Sequence, residues 1–174
     1  MKKIYFFLLS LLLLSFTTVY SQKCKVGADP FTGEKVVSFD FSSRVIYYEY
    51  KAGITHLEMV FNYNGVLKVI VPKGTELLFK LENGEILKLV TIADAPPKTA
   101  RANQSQYYST SFTSDYSYVM EVSKEDVGKL AASKVVLIRY PDTQGGTLDY
   151  SPKGLGKKLA DVLFKGANCL KENF

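Results

Sequence analysis

His56 and Glu58 come nearest, by residue type and spacing, to a pair that could perform acid–base chemistry. His56 is the single histidine of the 174-residue chain, so any histidine-dependent proton transfer must use it. If both residues lie on one strand, a spacing of two places them on the same face, where the carboxylate would raise the pKa of the imidazole. The pair could serve a hydrolase, or it could be an ordinary exposed pair on a strand, since no nucleophile is marked out beside it.

A second candidate for hydrolysis is the carboxylate pair Asp142 and Asp149. These residues flank TQGGTL (143–148), a glycine-containing loop that follows an apolar segment. Loops on a rigid scaffold often carry function, and the alternative is a simple turn. Because the sequence contains no G-x-S-x-G, H-E-x-x-H, C-x-x-C or phosphate-loop pattern, we predict no catalytic residue.

Four tyrosines are candidates for recognition because each is predicted to lie at a surface or beside a loop. A tyrosine in such a place can stack on a sugar or pack into a protein partner. Together with the acidic residues and the histidine, they form our predicted set for ligand or partner binding. The set is Tyr47, His56, Glu58, Tyr107, Tyr140, Asp142, Asp149 and Tyr150.

Metal and cofactor chemistry is not indicated by this sequence. Two cysteines and one histidine cannot form a zinc shell without carboxylates, which the sequence does not cluster. GLGKKL (154–159) begins like a dinucleotide-binding fingerprint but lacks the third glycine and the surrounding βαβ unit. We therefore predict no metal and no cofactor.

Residues 1–21 have the layout of a secretory signal peptide. Lys2 and Lys3 precede an apolar run that is short for a membrane anchor, the alternative, and small residues lead to the expected cleavage site after Ser21. Cleavage would leave one domain over 22–174, periplasmic or extracellular, with no membrane span. It would lower the formal charge from +5 to +3, too small an excess to indicate nucleic acid as a partner.

Cys24 and Cys169, near opposite ends of the exported chain, predict one disulfide bond. In an oxidising compartment an even pair of cysteines favours a bridge, and the alternative is two independent buried thiols. A bridge closing almost the whole domain would contribute roughly 4–5 kcal/mol by loop entropy.

Apolar residues at period two predict most of the secondary structure. They indicate strands over Lys35–Phe41, Val45–Tyr50 and Ile54–Asn62, and an apolar run within Lys134–Tyr140 indicates an interior strand. The tyrosine-rich stretch QYYSTSFTSDYSYVM (106–120) also alternates, with rings on one side and hydroxyl groups on the other. This pattern favours a long core strand over a recognition loop.

Two Asn-Gly segments predict β-hairpins. Keeping the apolar side chains on one face favours three-residue loops, Tyr63-Asn64-Gly65 and Glu82-Asn83-Gly84, each with a left-handed glycine. The predicted pairs are Phe61 with Leu67, Met59 with Val69 and Leu57 with Val71 in the first hairpin, and Phe79 with Leu87 and Leu77 with Leu89 in the second.

Two helices and one mobile loop complete the sequence-based picture. A short helix is predicted within SKEDVGKLAAS (123–133), and a C-terminal helix from Ser151 and Pro152 onward. The polar, Pro-rich connection Ala93–Gln106 is the predicted mobile loop. Since the outer face of the hairpins also carries apolar residues, we expect the C-terminal helix to cover part of it. These residues are Val60, Val66, Ile70, Leu78, Ile86 and Val90.

The predicted fold class is α+β, mainly β. We expect a curved antiparallel sheet of seven to eight strands, sandwich-like or a partly open barrel, with a C-terminal helix packed on it and one short helix. In type, this layout resembles small exported β-rich proteins of Gram-negative bacteria. The leading hypothesis for function is a non-enzymatic extracytoplasmic domain that binds a protein partner or ligand at the cell envelope. The alternatives are a secreted hydrolase using His56 or the loop from Asp142 to Asp149, and a structural component of an envelope assembly.

Overall fold

The described part of the chain, in a computed structural model, comprises residues 23–42, 45–101, 112–142, 147–150 and 157–174. The predicted signal peptide lies outside these ranges. The strands are β1 (Lys23–Ala28), β2 (Lys35–Phe41), β3 (Ile46–Lys51), β4 (Ile54–Asn64), β5 (Glu76–Leu81), β6 (Ile86–Val90), β7 (Lys98–Arg101), β8 (Phe112–Glu121), β9 (Val135–Pro141) and β10 (Thr147–Tyr150). The helices are α1 (Lys124–Ala132) and α2 (Lys157–Lys171).

The strands form two antiparallel sheets rather than one curved sheet. The six-stranded sheet has the order β1-β2-β3-β4-β8-β7, and the four-stranded sheet has the order β10-β9-β5-β6. Inner-face residues of both sheets join residues of both helices in one hydrophobic core. The predicted α+β, sandwich-like fold is therefore confirmed, and the linear strand order in the described residues shows no closed barrel. Strands β1, β7 and β10 were not predicted.

The tyrosine-rich stretch is a core strand from Phe112 onward, as its alternation predicts. Its inward side chains are buried, namely Ser114, Tyr116, Tyr118 and Met120. The hydroxyl of Tyr116 donates to the carbonyl of Val69 at 2.7 Å, so its polar group keeps a partner inside the core. Residues 106–111, including Tyr107, lie outside the described ranges.

Only one of the two predicted hairpins forms. Around Gly84, β5 pairs with β6 in the predicted register, with Phe79 opposite Leu87 and Leu77 opposite Leu89. The first hairpin is wrong: β4 pairs with β8, and Phe61 lies opposite Tyr116.

The segment after Gly65 forms no strand with β4. The amide of Leu67 donates to the hydroxyl of Ser114 at 2.9 Å, so this segment is held by side chains of β8. β8 competes successfully as the partner of β4 because its large inward rings bury more apolar surface than the aliphatic residues 66–71 offer.

Helix α2 packs on the inner face of the six-stranded sheet, not on the outer face. Its buried residues include Leu159, Val162, Leu163, Ala167, Cys169 and Leu170. The helix contacts β2 and β3, and the hydroxyl of Tyr48 donates to the carbonyl of Leu163 at 3.2 Å. The four-stranded sheet is too narrow to cover the six-stranded sheet, so the helix covers the rest of its inner face. The predicted outer-face residues Val66, Ile70 and Ile86 stay exposed. The predicted helix start at Ser151 and Pro152 lies outside the described ranges.

Helix α1 and the disulfide bond form as predicted, whereas the predicted mobile loop contains a strand. Helix α1 begins as predicted, since the hydroxyl of Ser123 accepts from the amide of Asp126 at 3.0 Å. Within the predicted mobile loop Ala93–Gln106, Lys98–Arg101 forms the edge strand β7 by pairing with β8, and residues 102–106 lie outside the described ranges. A disulfide bond joins Cys24 to Cys169, with the Cα atoms 5.6 Å apart, so the predicted bridge is confirmed.

Candidate functional site

His56 and Glu58 lie on the outer face of β4, near the middle of the six-stranded sheet. The strand register places His56 opposite Glu49 of β3 and Glu121 of β8, so the half-buried imidazole shares its face with several carboxylates. Glu58 accepts a hydrogen bond from the hydroxyl of Ser117 at 2.5 Å. In a Ser-His-acid triad the imidazole stands between the hydroxyl and the carboxylate, whereas here the carboxylate binds the hydroxyl directly. This geometry does not match that mechanism.

The other predicted residues of this face and of the β9–β10 hairpin lie apart from one another. The hydroxyl of Tyr47, also half-buried on the outer face, donates to Glu49 at 3.2 Å. In the hairpin, Asp149 lies opposite Arg139, three residues along the strand from Asp142. The backbones of the two aspartates are thus separated by roughly 10 Å, and they do not face each other across the ladder. The side chains of Asp149 and Tyr150 lie outside the described part of the structure.

A cleft of about 440 Å³ opens where β4 extends past the end of β3. β3 begins at Ile46, opposite Met59, and the last described backbone bond between these strands joins the amide of Val60 to the carbonyl of Val45 at 3.0 Å. β4 itself continues to Asn64, so the described part of β3 leaves its last residues uncovered. The cleft is lined by Val45, Met59, Val60, Phe61, Asn62, Asp115, Tyr140 and Leu159.

The ring pair of Phe61 and Tyr140 provides the aromatic wall of the cleft. The two ring centroids are 4.4 Å apart and the planes are tilted by 31°, so each ring limits the movement of the other. Burial raises the pKa of Tyr140 above its ordinary value, and the negative charge of Asp142 raises it further. Tyr140 therefore presents a neutral phenol to the cleft at physiological pH.

Tyr63 supports the aromatic wall from inside the core. Its hydroxyl donates to the carbonyl of Pro141 at 2.9 Å and lies 3.0 Å from the hydroxyl of Tyr118. Its ring lies 5.8 Å from that of Tyr140. Burial, followed by the hydrogen bond with Tyr118, raises the pKa of Tyr63. Burial also raises the pKa of Tyr118 to about 12. Both phenols stay neutral, and they tie β4 and β8 to the end of β9 beneath the cleft.

The polar rim of the cleft consists of Asn62 and Asp115. These residues lie opposite each other on β4 and β8, and the side-chain amide of Asn62 donates to the carboxylate of Asp115 at 2.6 Å. Both are at the surface, so the carboxylate keeps contact with water. Asp142 lies near the aromatic wall, and Lys98 of β7 lies opposite Asp115, so charges of both signs surround the cleft. The arrangement suits an apolar or aromatic group.

Among the predicted binding residues with described side chains, Tyr140 is the one that lines the cleft. Asp142 lies near Tyr140, since its negative charge raises the pKa of the Tyr140 phenol. In contrast, Tyr47, His56 and Glu58 lie on the outer face. The other lining residues were not predicted, because the cleft forms only where β4 extends beyond β3 and pairs with β8. The unequal lengths of the segments Val45–Tyr50 and Ile54–Asn62 were the available signal, and it was hidden by the incorrect first hairpin.

Comparisons with known proteins give this chain no relatives from which a function could be transferred. No protein family matches the sequence, and neither the curated proteins nor the solved structures yield a significant match. Within the described ranges, no group of three or more histidine, cysteine, aspartate and glutamate side chains is arranged to hold a metal ion. Neither described helix is long and apolar enough to cross a membrane.

Proposed function

We propose that the protein is an exported, non-enzymatic domain that binds a protein partner at the cell envelope, and that the cleft receives an apolar side chain of that partner. The observation that carries this proposal is the cleft itself, with its aromatic wall and its polar rim. Concave apolar sites with a few polar groups at the edge are the usual form of binding sites. Aromatic anchors seated in such sites commonly dominate the affinity of protein interfaces.

Export is supported by two independent features. The disulfide bond between Cys24 and Cys169 is of the kind that persists in oxidising compartments. The charged start and apolar run of residues 1–21 have the pattern of a signal peptide. A domain destined for the periplasm or the exterior would meet envelope proteins as its available partners.

A binding role is favoured over hydrolysis by the chemistry at the cleft. Its polar groups are one amide and one carboxylate that bind each other, together with a phenol kept neutral by burial. The apolar walls formed by Val45, Val60 and Leu159 have no acid or base to offer. The outer-face hydroxyl of Ser117 binds a carboxylate rather than His56, which disfavours the triad alternative.

The proposal is tested by titrating the isotope-labelled, disulfide-bonded domain with N-acetyl-phenylalanine amide. We expect chemical-shift changes centred on Val45, Val60 and Phe61, with a dissociation constant on the order of 1 mM for so small a probe. N-acetyl-alanine amide, which lacks the ring, should produce no saturable change.

Tyr140→Ala removes half of the aromatic wall and should weaken binding of the phenylalanine probe at least several-fold. Ile86→Ala is the matched control, because Ile86 is 61% exposed on β6 and does not line the cleft. Shifts scattered over the surface, or an equal response to both probes, would refute the cleft as a binding site.

A further inference from the structure

β1 is an edge strand whose described side chains contribute nothing to the core. It forms one border of the six-stranded sheet, and within the described residues only β2 pairs with it. Residues 24–28 are all exposed, and none of them belongs to the hydrophobic core. Val26 lies opposite the buried Val37 on the inner face, yet it is 54% exposed because α2 packs mainly over β2 and β3. An exposed edge of this kind is a template for pairing with another strand.

The hydrogen bonds of the β1–β2 hairpin identify the backbone groups that face away from the sheet. The amide of Asp29 donates to the carbonyl of Glu34 at 2.8 Å. Hydrogen-bonded and non-hydrogen-bonded positions alternate along an antiparallel pair, so Gly27 and Lys25 are the residues that bond to β2. The amides and carbonyls that point outward therefore belong to the residues between them, namely Cys24, Val26 and Ala28.

We propose that β1 pairs with β1 of a second copy about a twofold axis, so that the two six-stranded sheets become one continuous sheet. Antiparallel pairing centred on Val26 places Cys24 of each copy opposite Ala28 of the other. Every outward amide and carbonyl of residues 24–28 then has a partner, whereas a shift by two residues leaves one residue of each strand unpaired. No residue of β1 lines the cleft, so this surface goes beyond the proposed function.

The outer face of β1 favours a second copy of this chain as the partner. In the proposed register Lys25 of one copy lies opposite Gly27 of the other, so the two lysines do not face each other. Gly27 lies in a groove of about 330 Å³ on the outer face of β1, β2 and β3, and a Cβ atom added to it would meet nothing within 4 Å. The aliphatic stem of the incoming lysine can therefore occupy this groove.

The charges around the groove are complementary to the incoming lysine. Asp29 and Glu49 line the groove, and Glu34 lies opposite Asp29 in the hairpin. Lys51 also lines it and is bound to Asp29. Lys25 of the same copy lines it as well, but pairing directs that side chain to the groove of the second copy. Three carboxylates thus face Lys51 and one Lys25 in each half of the interface.

The inner face is compatible with the same pairing. Val26 of each copy lies opposite Val26 of the other, so each covers an apolar surface that is otherwise wet. The small Ala28 leaves room for the disulfide of Cys24 of the second copy, and Lys35 shares this face because it lies opposite Ala28. The two copies of α2, over β2 and β3, are roughly 20 Å apart across the axis and do not collide.

The test uses sedimentation velocity of the disulfide-bonded exported domain over a concentration series up to about 1 mM. We expect a monomer–dimer equilibrium with no larger species, because a twofold interface closes on itself. Val26→Pro removes an outward amide without breaking a bond to β2, so it should weaken the dimer about tenfold or more. Val26→Thr keeps the amide and the strand propensity, and as the matched control it should still dimerise.

A charge exchange tests the register. Gly27→Lys sets two lysines opposite each other on both sides of the axis and should leave the protein monomeric. Adding Lys25→Glu to this variant places a glutamate opposite each new lysine and should restore the dimer. Gly27→Lys should still bind N-acetyl-phenylalanine amide like the unaltered protein, so the dimer and the cleft are tested independently.

Three results would overturn the inference. They are an unaltered domain that stays monomeric up to about 1 mM, a dimer that survives both Val26→Pro and Gly27→Lys, and a double variant that stays monomeric. Hydrogen exchange gives a second measurement that does not depend on variants. The amides of Val26 and Ala28 should exchange more slowly as the protein concentration rises, and unchanged rates in a sample that dimerises would place the interface elsewhere.

Discussion

Two turns of this protein contain the same Asn-Gly pair but lead to different strand pairings. Gly65 and Gly84 both have positive φ angles, 96° and 90°. After Gly84 the chain folds back and β6 pairs with β5. After Gly65 the chain leaves the sheet, and β4 takes β8 as its partner, with Asn62 opposite Asp115. A glycine turn therefore determines the local backbone, whereas the pairing partner of a strand depends on which side chains fill the core beside it.

The segment after Gly65 shows how β8 replaces a hairpin partner. Ser114 donates its hydroxyl to the carbonyl of Gly65 at 2.8 Å and accepts from the amide of Leu67 at 2.9 Å. Tyr116 donates to the carbonyl of Val69 at 2.7 Å. Side-chain hydroxyls of one strand thus satisfy the backbone that a second strand would otherwise satisfy. Long-range contacts should therefore dominate stability, and substitutions that remove them should cost more than substitutions in the turns.

The disulfide bond is the contact of longest range and should have the largest effect. Replacing Cys24 and Cys169 together by serine should lower the free energy of unfolding by about 2–5 kcal/mol, because the bridge closes a loop between residues 145 positions apart. Urea unfolding of the double variant measures this loss. The unaltered protein unfolded in the presence of a reductant is the control and should give the same value. A loss below about 1 kcal/mol would contradict the expectation that long-range contacts dominate the stability of this protein.

The Tyr63–Tyr118 hydroxyl pair should make the protein sensitive to alkali. Tyr118 has a folded pKa of about 12 against an ordinary value of 10, so its contribution is fully present below pH 10 and is lost as the pH rises toward 12. Two pKa units correspond to roughly 2–3 kcal/mol. Phenolate absorbance in the folded protein should lag behind that of the urea-unfolded protein, and Tyr118→Phe should reduce the alkaline loss. Coincident titrations of the folded and unfolded proteins would contradict this expectation.

Gly166 and Gly128 both lie in helices, but only Gly166 packs against another element. Substituting each by alanine therefore compares the effect of packing with that of helix propensity. A methyl group on Gly166 would lie 2.5 Å from the Tyr48 ring and 2.9 Å from the Phe39 ring, whereas one on Gly128 would meet nothing within 4 Å. Gly166→Ala should therefore destabilise the protein by about 1–3 kcal/mol despite the better helix propensity of alanine. Gly128→Ala should stabilise it by up to about 1 kcal/mol. Thermal unfolding of both variants gives the two signs, and stabilisation by Gly166→Ala would show that α2 can move away from the sheet.

The two turn glycines should show the smallest effects. Gly65→Ala and Gly84→Ala both place a Cβ atom at positive φ, which should cost about 1 kcal/mol at each site. Urea unfolding of the two variants should give similar losses, because the backbone strain is the same although the pairing differs. A much larger loss at Gly84 would mean that its turn also determines the register of β5 and β6.

The parts of the fold that local pattern could predict are those whose partners are close in the chain. The β5–β6 register, helix α1 and the alternation of β8 followed from spacing and capping residues alone. The partner of β4 did not, because several apolar strands present similar inner faces and only the completed core distinguishes them. Placement of α2 on the inner face was missed for the same reason.

The candidate site was harder to predict than the fold. Tyr140 was predicted as a binding residue because it borders a loop, and it lines the cleft, whereas Phe61 and Val45 looked like ordinary strand residues. Phe31, which is 96% exposed in the turn between β1 and β2, was not among the predicted residues, because its position depends on hydrogen bonds of Asp29 that composition does not reveal. Features formed by unequal strand lengths or by a turn tip depend on three-dimensional register, which a single sequence constrains only indirectly.

The bridge between Cys24 and Cys169 joins the start of β1 to the last turn of α2, and so has a consequence for resistance to proteolysis. A protease that cuts the chain once, anywhere between the two cysteines, leaves two pieces that stay covalently connected. The pieces can reassociate around the same core without meeting again by diffusion. A single cut would therefore be invisible on a non-reducing gel and would separate the fragments only after reduction.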